Sequence, residues 1–248
     1  MSCKLYHCPF FASSFIAQFI VDLKIQDQVE IVLFGYDKMK NDFHYEKHPQ
    51  GRIPFYTEGD DFSLIESSAI LLHLLDKFDT DKKLSNWVDG KQKARFYELL
   101  LFHPTTIYPA VQQVFAQTLF QPGHPAYNPQ VTETNTKIWN EEIVPHLSKH
   151  LGSQKFFFGD EYSVADIILS YPLVLANDLG LLTPQHKALY DYYSRISQRP
   201  SFQEIYSEAN REYLPTLEKY NESWVRKAER DKKLAELKIQ KEQQQQEN

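Results

Sequence analysis

The arrangement of apolar residues changes near residue 90, and this change limits the folds open to the chain. Before that point, short strand-like runs alternate with helical patterns. Beyond it the apolar residues recur at helical spacing and no strand pattern is found. A chain of 248 residues is long enough for two moderate domains. We therefore predict an α/β unit followed by an all-helical unit.

The first unit is predicted to follow the order β-α-β-irregular-β-β-α. Apolar residues between 13 and 24 are spaced by three and four, whereas the run at 31–34 is uniformly apolar and indicates a buried strand. A small mixed sheet with helices on its faces is the thioredoxin-like arrangement. The predicted strands are 4–7, 29–34, 51–56 and 62–64, the predicted helices are 13–24 and 66–78, and 36–47 is predicted to be irregular.

The second unit is predicted to contain six helices, separated by loops with Pro or Gly. After residue 217 the sequence is charged and then rich in Gln, with a thin apolar stripe that includes Trp224. We predict a helical or disordered tail there. The helices are predicted at 91–103, 108–119, 132–151, 163–178, 184–198 and 201–213. The predicted divisions are a domain over 1–79, a linker over 80–90, a helical domain over 91–214 and a tail over 215–248.

Composition argues against several classes of function. The net charge of −6 and the lack of a long basic stripe outside the tail do not favour nucleic-acid binding. Cys3 and Cys8 form no C-x-x-C pair, which argues against a dithiol oxidoreductase and a zinc knuckle, and we expect no metal. Two cysteines suit a reducing compartment, so a cytoplasmic protein is expected. No apolar run approaches ~18 residues, so no membrane span is expected.

Three local motifs occur in an informative order. Residues 48–54 read His-Pro-Gln-Gly-Arg-Ile-Pro, residues 66–70 read Glu-Ser-Ser-Ala-Ile, and residues 159–166 read Gly-Asp-Glu-Tyr-Ser-Val-Ala-Asp. With the segment 193–201, these motifs resemble the cytosolic glutathione S-transferase family over roughly residues 4 to 213. The class is unclear, because phi/theta-like, beta-like and omega-like features are mixed. The resemblance implies a thioredoxin-like domain followed by a helical C-terminal domain.

The resemblance implies where glutathione would bind. Pro54 would follow a cis peptide bond, and the backbone of Ile53 would pair with the cysteinyl part of glutathione. Glu66 and Ser67, at a helix N-terminus, would bind the γ-glutamyl end. The motifs also have plainer interpretations: an ordinary turn before an edge strand, and a helix cap at Ser67. The third motif is a capping box, whose role in the family is also structural.

The glycyl carboxylate of glutathione needs a cation or another hydrogen-bond donor. Lys40 lies where phi-type members tend to carry a lysine, and Gln50 and Arg52 flank the proline loop. All three could equally be solvated surface residues. Phe10, Phe11, His103, Tyr108 and Phe115 are candidates for the second-substrate pocket, although such residues are more often part of a core. The high aromatic content, 14%, is compatible with both uses.

The residue that activates the glutathione thiol is ambiguous in the sequence. A thiol pKa of ~8.5 must fall by ~2 units, which requires about 2.7 kcal/mol of preferential thiolate stabilisation. An ungapped match to serine-type members places Phe11, which has no donor, at the donor position. A one-residue insertion places Ser13 there, which is our first choice, with Cys8 and Ser14 next and Tyr6 as a weaker choice. Ser13 or Ser14 could be only a helix cap, and Cys8 only a core residue.

Three hypotheses for function follow from these residues. The first is a transferase that conjugates glutathione, as co-substrate, to small hydrophobic electrophiles, a detoxification activity. The second is a glutathione-dependent thiol transferase or reductase that uses Cys8. The third is a non-catalytic binding module, which Phe11 and the charged, Gln-rich tail favour and which predicts a protein partner bound through the tail. The resemblance also implies a homodimer.

Overall fold

The computed structural model of the protein describes residues 2–87 and 89–246. The ends of the predicted ranges at residues 1 and 248, and the linker position 88, lie outside the described residues. The first unit contains a four-stranded sheet in the order β2-β1-β3-β4. Its elements are β1 Cys3–His7, α1 Ser14–Leu23, β2 Val29–Leu33, α2 Asp42–Lys47, β3 Phe55–Glu58, β4 Phe62–Ile65 and α3 Ser67–Phe78.

Strand direction and register are those of a mixed sheet. β1 runs parallel to β2, with Cys3 opposite Val29, and antiparallel to β3. β3 and β4 form a hairpin in which Phe55 faces Ile65. The parallel pair needs a crossover, and α1 supplies it. The predicted thioredoxin-like fold is therefore confirmed.

Short-range chemistry accounts for the one N-terminal helix that the pattern did not predict. α2 lies within the segment 36–47, which was predicted to be irregular, so that prediction was wrong for α2. The Asn41 side chain caps α2 by accepting a hydrogen bond from the backbone N–H of His44 at 2.8 Å. His44 is the one residue of α2 that is buried. A six-residue helix with one buried residue leaves no periodic pattern to detect.

The second unit is helical throughout its regular elements. The helices predicted at 91–103 and 108–119 are joined by a π-helical turn, His103–Ile107, and the one predicted at 132–151 contains a second such turn, Trp139–Ile143. The segment predicted at 201–213 divides into a short α-helix and a 3₁₀ helix, Glu208–Tyr213. The α-helices are α4 Gly90–Phe102, α5 Tyr108–Thr118, α6 Pro129–Ile138, α7 Val144–Leu151, α8 Val164–Asp178, α9 Lys187–Ile196, α10 Pro200–Ile205 and α11 Leu217–Gln246.

α8 is the central helix of this unit and its start is fixed by the predicted capping box. The side chain of Ser163 accepts a hydrogen bond from the N–H of Ala165 at 3.3 Å, and Asp166 accepts one from the N–H of Ser163 at 2.8 Å. Thirteen residues of α8 are buried. α8 packs against α1 of the first unit, so the two units share one apolar core.

Polar contacts add to this packing at the edge of α1. Asp22 accepts hydrogen bonds from the hydroxyl of Tyr162 at 3.1 Å and from Ser201 at 2.8 Å, and it pairs with Arg199 at 3.1 Å. The carboxylate is almost fully buried, with 5% of its side chain exposed. Three partners compensate the cost of burying this charge.

The tail is helical, one of the two alternatives that the sequence left open. α11 covers the last thirty described residues, and residues 231–241 are all exposed to solvent. Among the described helices, none has both the length and the apolar character needed to cross a lipid bilayer.

Candidate functional site

A cavity of about 560 Å³ lies between the first unit and the helices. The turn after β1 forms one side of it through Phe10 and Phe11. Phe10 adopts a left-handed backbone conformation with φ of 59°, and its carbonyl accepts a hydrogen bond from the hydroxyl of Tyr171 at 2.7 Å. This bond from α8 fixes the turn against the helical unit.

Ser13, our first choice for thiol activation, is not part of the cavity wall. Its side chain is fully buried. The hydroxyl donates to the carbonyl of Cys8 at 3.1 Å, accepts from the N–H of Cys8 at 3.2 Å, and lies 2.8 Å from Nδ1 of His7. These bonds tie the β1–α1 turn together. The proposed catalytic role of Ser13 stays a prediction. The hydrogen bonds of Ser13 are those of a residue that stabilises the turn.

The alternatives near the same turn are also buried. Burial raises the pKa of the Cys8 thiol to about 12, so this sulfur is protonated at neutral pH and a poor nucleophile. The Ser14 hydroxyl is fully buried and has no hydrogen-bond partner among the described residues. The ring of Tyr6 stacks on Phe55 with their centroids 4.2 Å apart. Cys8, Ser14 and Tyr6 do not line the cavity.

The proline loop forms the second side of the cavity. The Ile53–Pro54 peptide bond is cis, as the resemblance implies. Gly51, Arg52 and Ile53 line the cavity. Gly51 has φ of 58°, and a Cβ at this position would lie 3.0 Å from the ring of Tyr45. Both the backbone conformation and the space therefore require glycine there.

His44 holds this loop against the preceding segment, and the sequence analysis missed it. Its Nδ1 accepts a hydrogen bond from the N–H of Lys40 at 2.9 Å, so its Nε2, 2.9 Å from the carbonyl of Arg52, is the donor. Burial lowers the pKa of His44 to about 4, although its bond to the Arg52 carbonyl opposes this. The neutral ring thus keeps one donor and one acceptor at physiological pH, and it fixes Lys40 and Arg52 relative to each other.

The cationic candidates for binding a carboxylate lie along this wall. Lys40 lines the cavity, and its ammonium group stands 4.6 Å above the ring of Trp224. Burial lowers the pKa of Lys40, and the charges of Lys227 and Arg52 lower it further. Gln50 is exposed and is not part of the cavity wall. Two cations, Lys40 and Arg52, therefore share the wall beside the proline loop.

Glu66 and Ser67 lie at the N-terminus of α3. Ser67 is the first helical residue, and Glu66 occupies the cap position that we had assigned to Ser67. Glu66 has φ of 70° and its side chain forms no capping bond. Its exposed carboxylate and the start of α3 do not line the cavity. This arrangement can bind a group that carries both an ammonium and a carboxylate.

The helical unit supplies the apolar side of the cavity. Tyr108 and Phe115, both predicted for the second-substrate pocket, line it together with Tyr171. Burial raises the pKa of Tyr108, while the Tyr171 hydroxyl and the charge of Arg52 oppose this rise. His103, also predicted for the pocket, is buried behind this wall and does not line the cavity. Its ring packs against Phe15 and Tyr108, with centroid distances of 5.2 and 6.0 Å.

α11 closes part of the cavity, which the sequence analysis did not predict. Tyr220, Ser223 and Trp224 line it. Arg226 anchors the helix by donating to the carbonyls of Met39, at 3.2 Å, and Tyr36. Arg230 pairs with Asp42 at 3.2 Å and covers the ring of Tyr45. Trp224 was visible as part of the apolar stripe, but a stripe does not reveal which surface it covers.

Comparisons with known proteins agree with this architecture. Residues 102–200 match the family model for the glutathione S-transferase C-terminal domain. A segment of 89 residues is 29% identical to glutathione S-transferase 1 of Schizosaccharomyces pombe, covering 35% of this chain and 39% of the relative. The chain thus aligns with less than half the length of that relative. A glutathione S-transferase-like protein, FUS3 of Gibberella fujikuroi, is 25% identical over 167 residues, covering 66% of this chain and 77% of the relative.

Solved structures show the same fold. A glutathione transferase homologue from Lodderomyces elongisporus, crystallised with two glutathione molecules per subunit, superposes with a TM-score of 0.69. The match covers 83% of this chain and 98% of that structure at 24% sequence identity. The fold is therefore that of the glutathione transferases across both units.

Proposed function

We propose that this chain is a glutathione S-transferase that binds glutathione beside the proline loop and conjugates it to small hydrophobic electrophiles. Residues 102–200 match the family model for the glutathione S-transferase C-terminal domain, and the fold supports the same assignment. In the proposed reaction the thiol loses its proton to solvent, and the sulfur forms a bond to an electrophilic carbon. A leaving group departs with its electron pair, or the pair enters a conjugated acceptor. The main support for this proposal is that one cavity is lined by the backbone of the proline loop, by two cationic side chains and by aromatic side chains.

The proposed placement of glutathione uses three parts of the first unit. The backbone of Ile53 pairs with the cysteinyl residue, as an unpaired edge pairs with an extended peptide. Lys40 and Arg52 attract the glycyl carboxylate. Glu66, Ser67 and the N-terminus of α3 bind the ammonium and carboxylate of the γ-glutamyl end. Gln50 is a further candidate at the glycyl end, where it would act from the exposed side of the loop.

For thiol activation we propose Tyr108 rather than the buried Ser13. Tyr108 and Ile53 line the same cavity, which puts the tyrosine beside the space proposed for the cysteinyl residue. A hydroxyl donor stabilises a thiolate by a charge-assisted hydrogen bond. The nearby Arg52 adds positive charge on the same side. Phe10, Phe11 and Phe115 then surround the electrophile with apolar surface.

The test compares two conservative variants. We expect Tyr108→Phe to bind glutathione but to lose about 10- to 100-fold in kcat/KM at neutral pH. The reason is that, without the hydroxyl donor, the pKa of the bound thiol rises by about one to two units. The pH profile of kcat/KM with a chloronitrobenzene-type substrate measures this shift. We expect Ser13→Ala to be less stable but nearly as active per folded molecule. An unchanged Tyr108→Phe together with an inactive Ser13→Ala would return the role to Ser13.

One observation favours a second candidate, a non-catalytic glutathione-binding module. Phe11, which has no donor, lies on the cavity wall at the position that serine-type members use. Under this alternative, the protein is retained by immobilised glutathione but shows no conjugation with any test electrophile. Failure to bind glutathione at all would overturn both candidates. The family also motivates the proposals of a cytoplasmic homodimer with a detoxification role.

A further inference from the structure

A second cluster of chemically active side chains lies between α4 and α7, away from the glutathione cavity. His146 and His150 are one turn apart on α7, and Glu98 faces them from α4. Oε1 of Glu98 lies 3.7 Å from Nε2 of His146 and 3.6 Å from Nε2 of His150. One ligand atom from each of the three residues lies within 4.8 Å of the others.

These separations fit a single transition-metal ion. Zinc–nitrogen and zinc–oxygen bonds of about 2.0–2.2 Å in a tetrahedron place the ligand atoms about 3.3–3.6 Å apart. The carboxylate–imidazole distances of 3.6 and 3.7 Å lie at or just above the upper end of this range, and all three ligand atoms lie within 4.8 Å of one another. Two histidines at positions i and i+4 of a helix present their nitrogens on one face. Small side-chain rotations would therefore complete the geometry.

The surroundings hold the ligands and leave room for an ion. The ring of His146 packs on Phe102 with a centroid distance of 4.6 Å. Arg95 binds Oε2 of Glu98 and leaves Oε1 directed toward the histidines. The three side chains are 28–37% exposed and line an open cavity of about 200 Å³. Solvent can thus reach a fourth coordination position.

The guanidinium of Arg95 lies beside the cluster and works against a bound cation. Arg95 is 60% exposed, so solvent screens its charge.

We propose that Glu98, His146 and His150 bind one divalent transition-metal ion of the zinc type, with water as the fourth ligand, and so link α4 to α7. Two imidazoles and one carboxylate select zinc, nickel, cobalt or copper over magnesium and calcium, which prefer oxygen ligands. The absence of cysteine pairs, on which the expectation of no metal was based, does not bear on ligands that are histidines and a carboxylate. Three protein ligands with one open position also resemble the ligand count of catalytic rather than structural zinc sites.

The experiment measures zinc binding to the full-length protein, purified without a histidine tag and stripped with a chelator. We expect calorimetry to show one saturable zinc site per chain, and thermal unfolding to shift to higher temperature on zinc addition, with no shift in magnesium. His150→Ala and Glu98→Gln should each weaken zinc binding more than about tenfold, the loss seen even for outer-shell partners. His124→Ala, which removes a histidine outside the cluster, should bind zinc as the unaltered chain does.

The measurements exclude the trivial explanation of a misfolded variant. Because the three side chains are about one-third exposed, we expect the unfolding temperature of each variant in chelator to match that of the unaltered chain. The proposal is overturned if the unaltered chain shows no saturable zinc site. It is equally overturned if His150→Ala and Glu98→Gln, folded as judged in chelator, bind zinc with unchanged affinity.

Discussion

At the residue scale, the hydroxyl and imidazole groups near the cavity differ in how completely their hydrogen-bonding capacity is used. The Ser13 hydroxyl has three partners and no exposed surface, so it stabilises a turn and has no lone pair to offer a ligand. Tyr108 lines the cavity and interacts with Tyr171, and we propose that its hydroxyl also reaches a bound sulfur atom. His44 uses both ring nitrogens to connect two cavity residues. Availability, rather than residue type, separates catalytic candidates from structural ones.

His103 gives a prediction about stability and pH. Burial lowers its pKa to about 3, and neither ring nitrogen has a hydrogen-bond partner among the described residues. In the unfolded chain the pKa is about 6.5, so the unfolded state binds more protons between these values. The contribution of the neutral His103 to the free energy of unfolding is thus fully present above pH 6.5 and is lost as the pH falls toward 3.

We expect His103→Leu to remove this loss. The difference in free energy of unfolding between the variant and the parent chain should be about 2 kcal/mol more favourable to the variant at pH 5 than at pH 8. Urea unfolding of both proteins at the two pH values measures the difference, in which all other titrating groups cancel. An identical difference at both pH values would show that His103 is protonated equally in the folded and unfolded states.

At the element scale, α11 is both a wall of the cavity and a clamp on the segment after β2. Its inner residues, Tyr220, Ser223 and Trp224, face the cavity, and Arg226 and Arg230 hold the carbonyls and side chains of that segment. Under the proposed function, we expect the electrophile to contact these three side chains, and we expect α11 to limit substrate size.

Two truncations test this role. A chain that ends at Thr216 should conjugate bulky apolar electrophiles with a KM raised about tenfold or more, because it loses two aromatic contacts. A chain that ends at Lys232 keeps every contact described for α11 at the cavity and should behave as the full-length protein. Steady-state kinetics with a small and a large electrophile give the comparison. If the two truncated chains show equal kinetics, α11 does not contribute to electrophile binding.

Most elements could be predicted because their apolar faces repeat along the chain. α1 and α3 have buried stripes, and α8 has a capping box that can be seen in the sequence. α2 could not be predicted, because a single buried histidine sets no period. The π-helical turns were also missed, since they continue the helical pattern with only a local change of hydrogen bonding.

At the scale of the whole molecule, some parts of the candidate site could be predicted from the sequence and others could not. The proline loop was found because its residues are contiguous, and Gly51 and Ile53 line the cavity as a unit. Trp224 and Lys40 meet only after folding. The choice of Ser13 as the activating residue depended on a one-residue insertion in the alignment. Sequence spacing does not show that the Ser13 hydroxyl forms buried hydrogen bonds within the turn. Long-range partners therefore had to come from the structure.

The exposed apolar side chains on α4 and β4 carry a prediction about assembly. Tyr97 and Leu101 lie one turn apart on α4 and are 42% and 61% exposed, and Phe62 on β4 is 41% exposed. Such side chains suit contact with a second copy of the chain. We expect a dimer in sedimentation velocity, and we expect Leu101→Glu to weaken dimerisation more than about tenfold. Leu234→Glu, an exposed position on α11, is the control; a monomeric parent chain at micromolar concentration would contradict the proposed homodimer.

The second half of α11 has a practical consequence. From Asp231 to Lys241 every residue is exposed, and the helix continues to Gln246. At about 1.5 Å per residue, this length amounts to a rod of roughly 24 Å. Immobilisation through the C-terminus would therefore hold the molecule at a distance from a sensor surface with its cavity unobstructed. Attachment through the N-terminus would instead pull on β1, a central strand of the sheet.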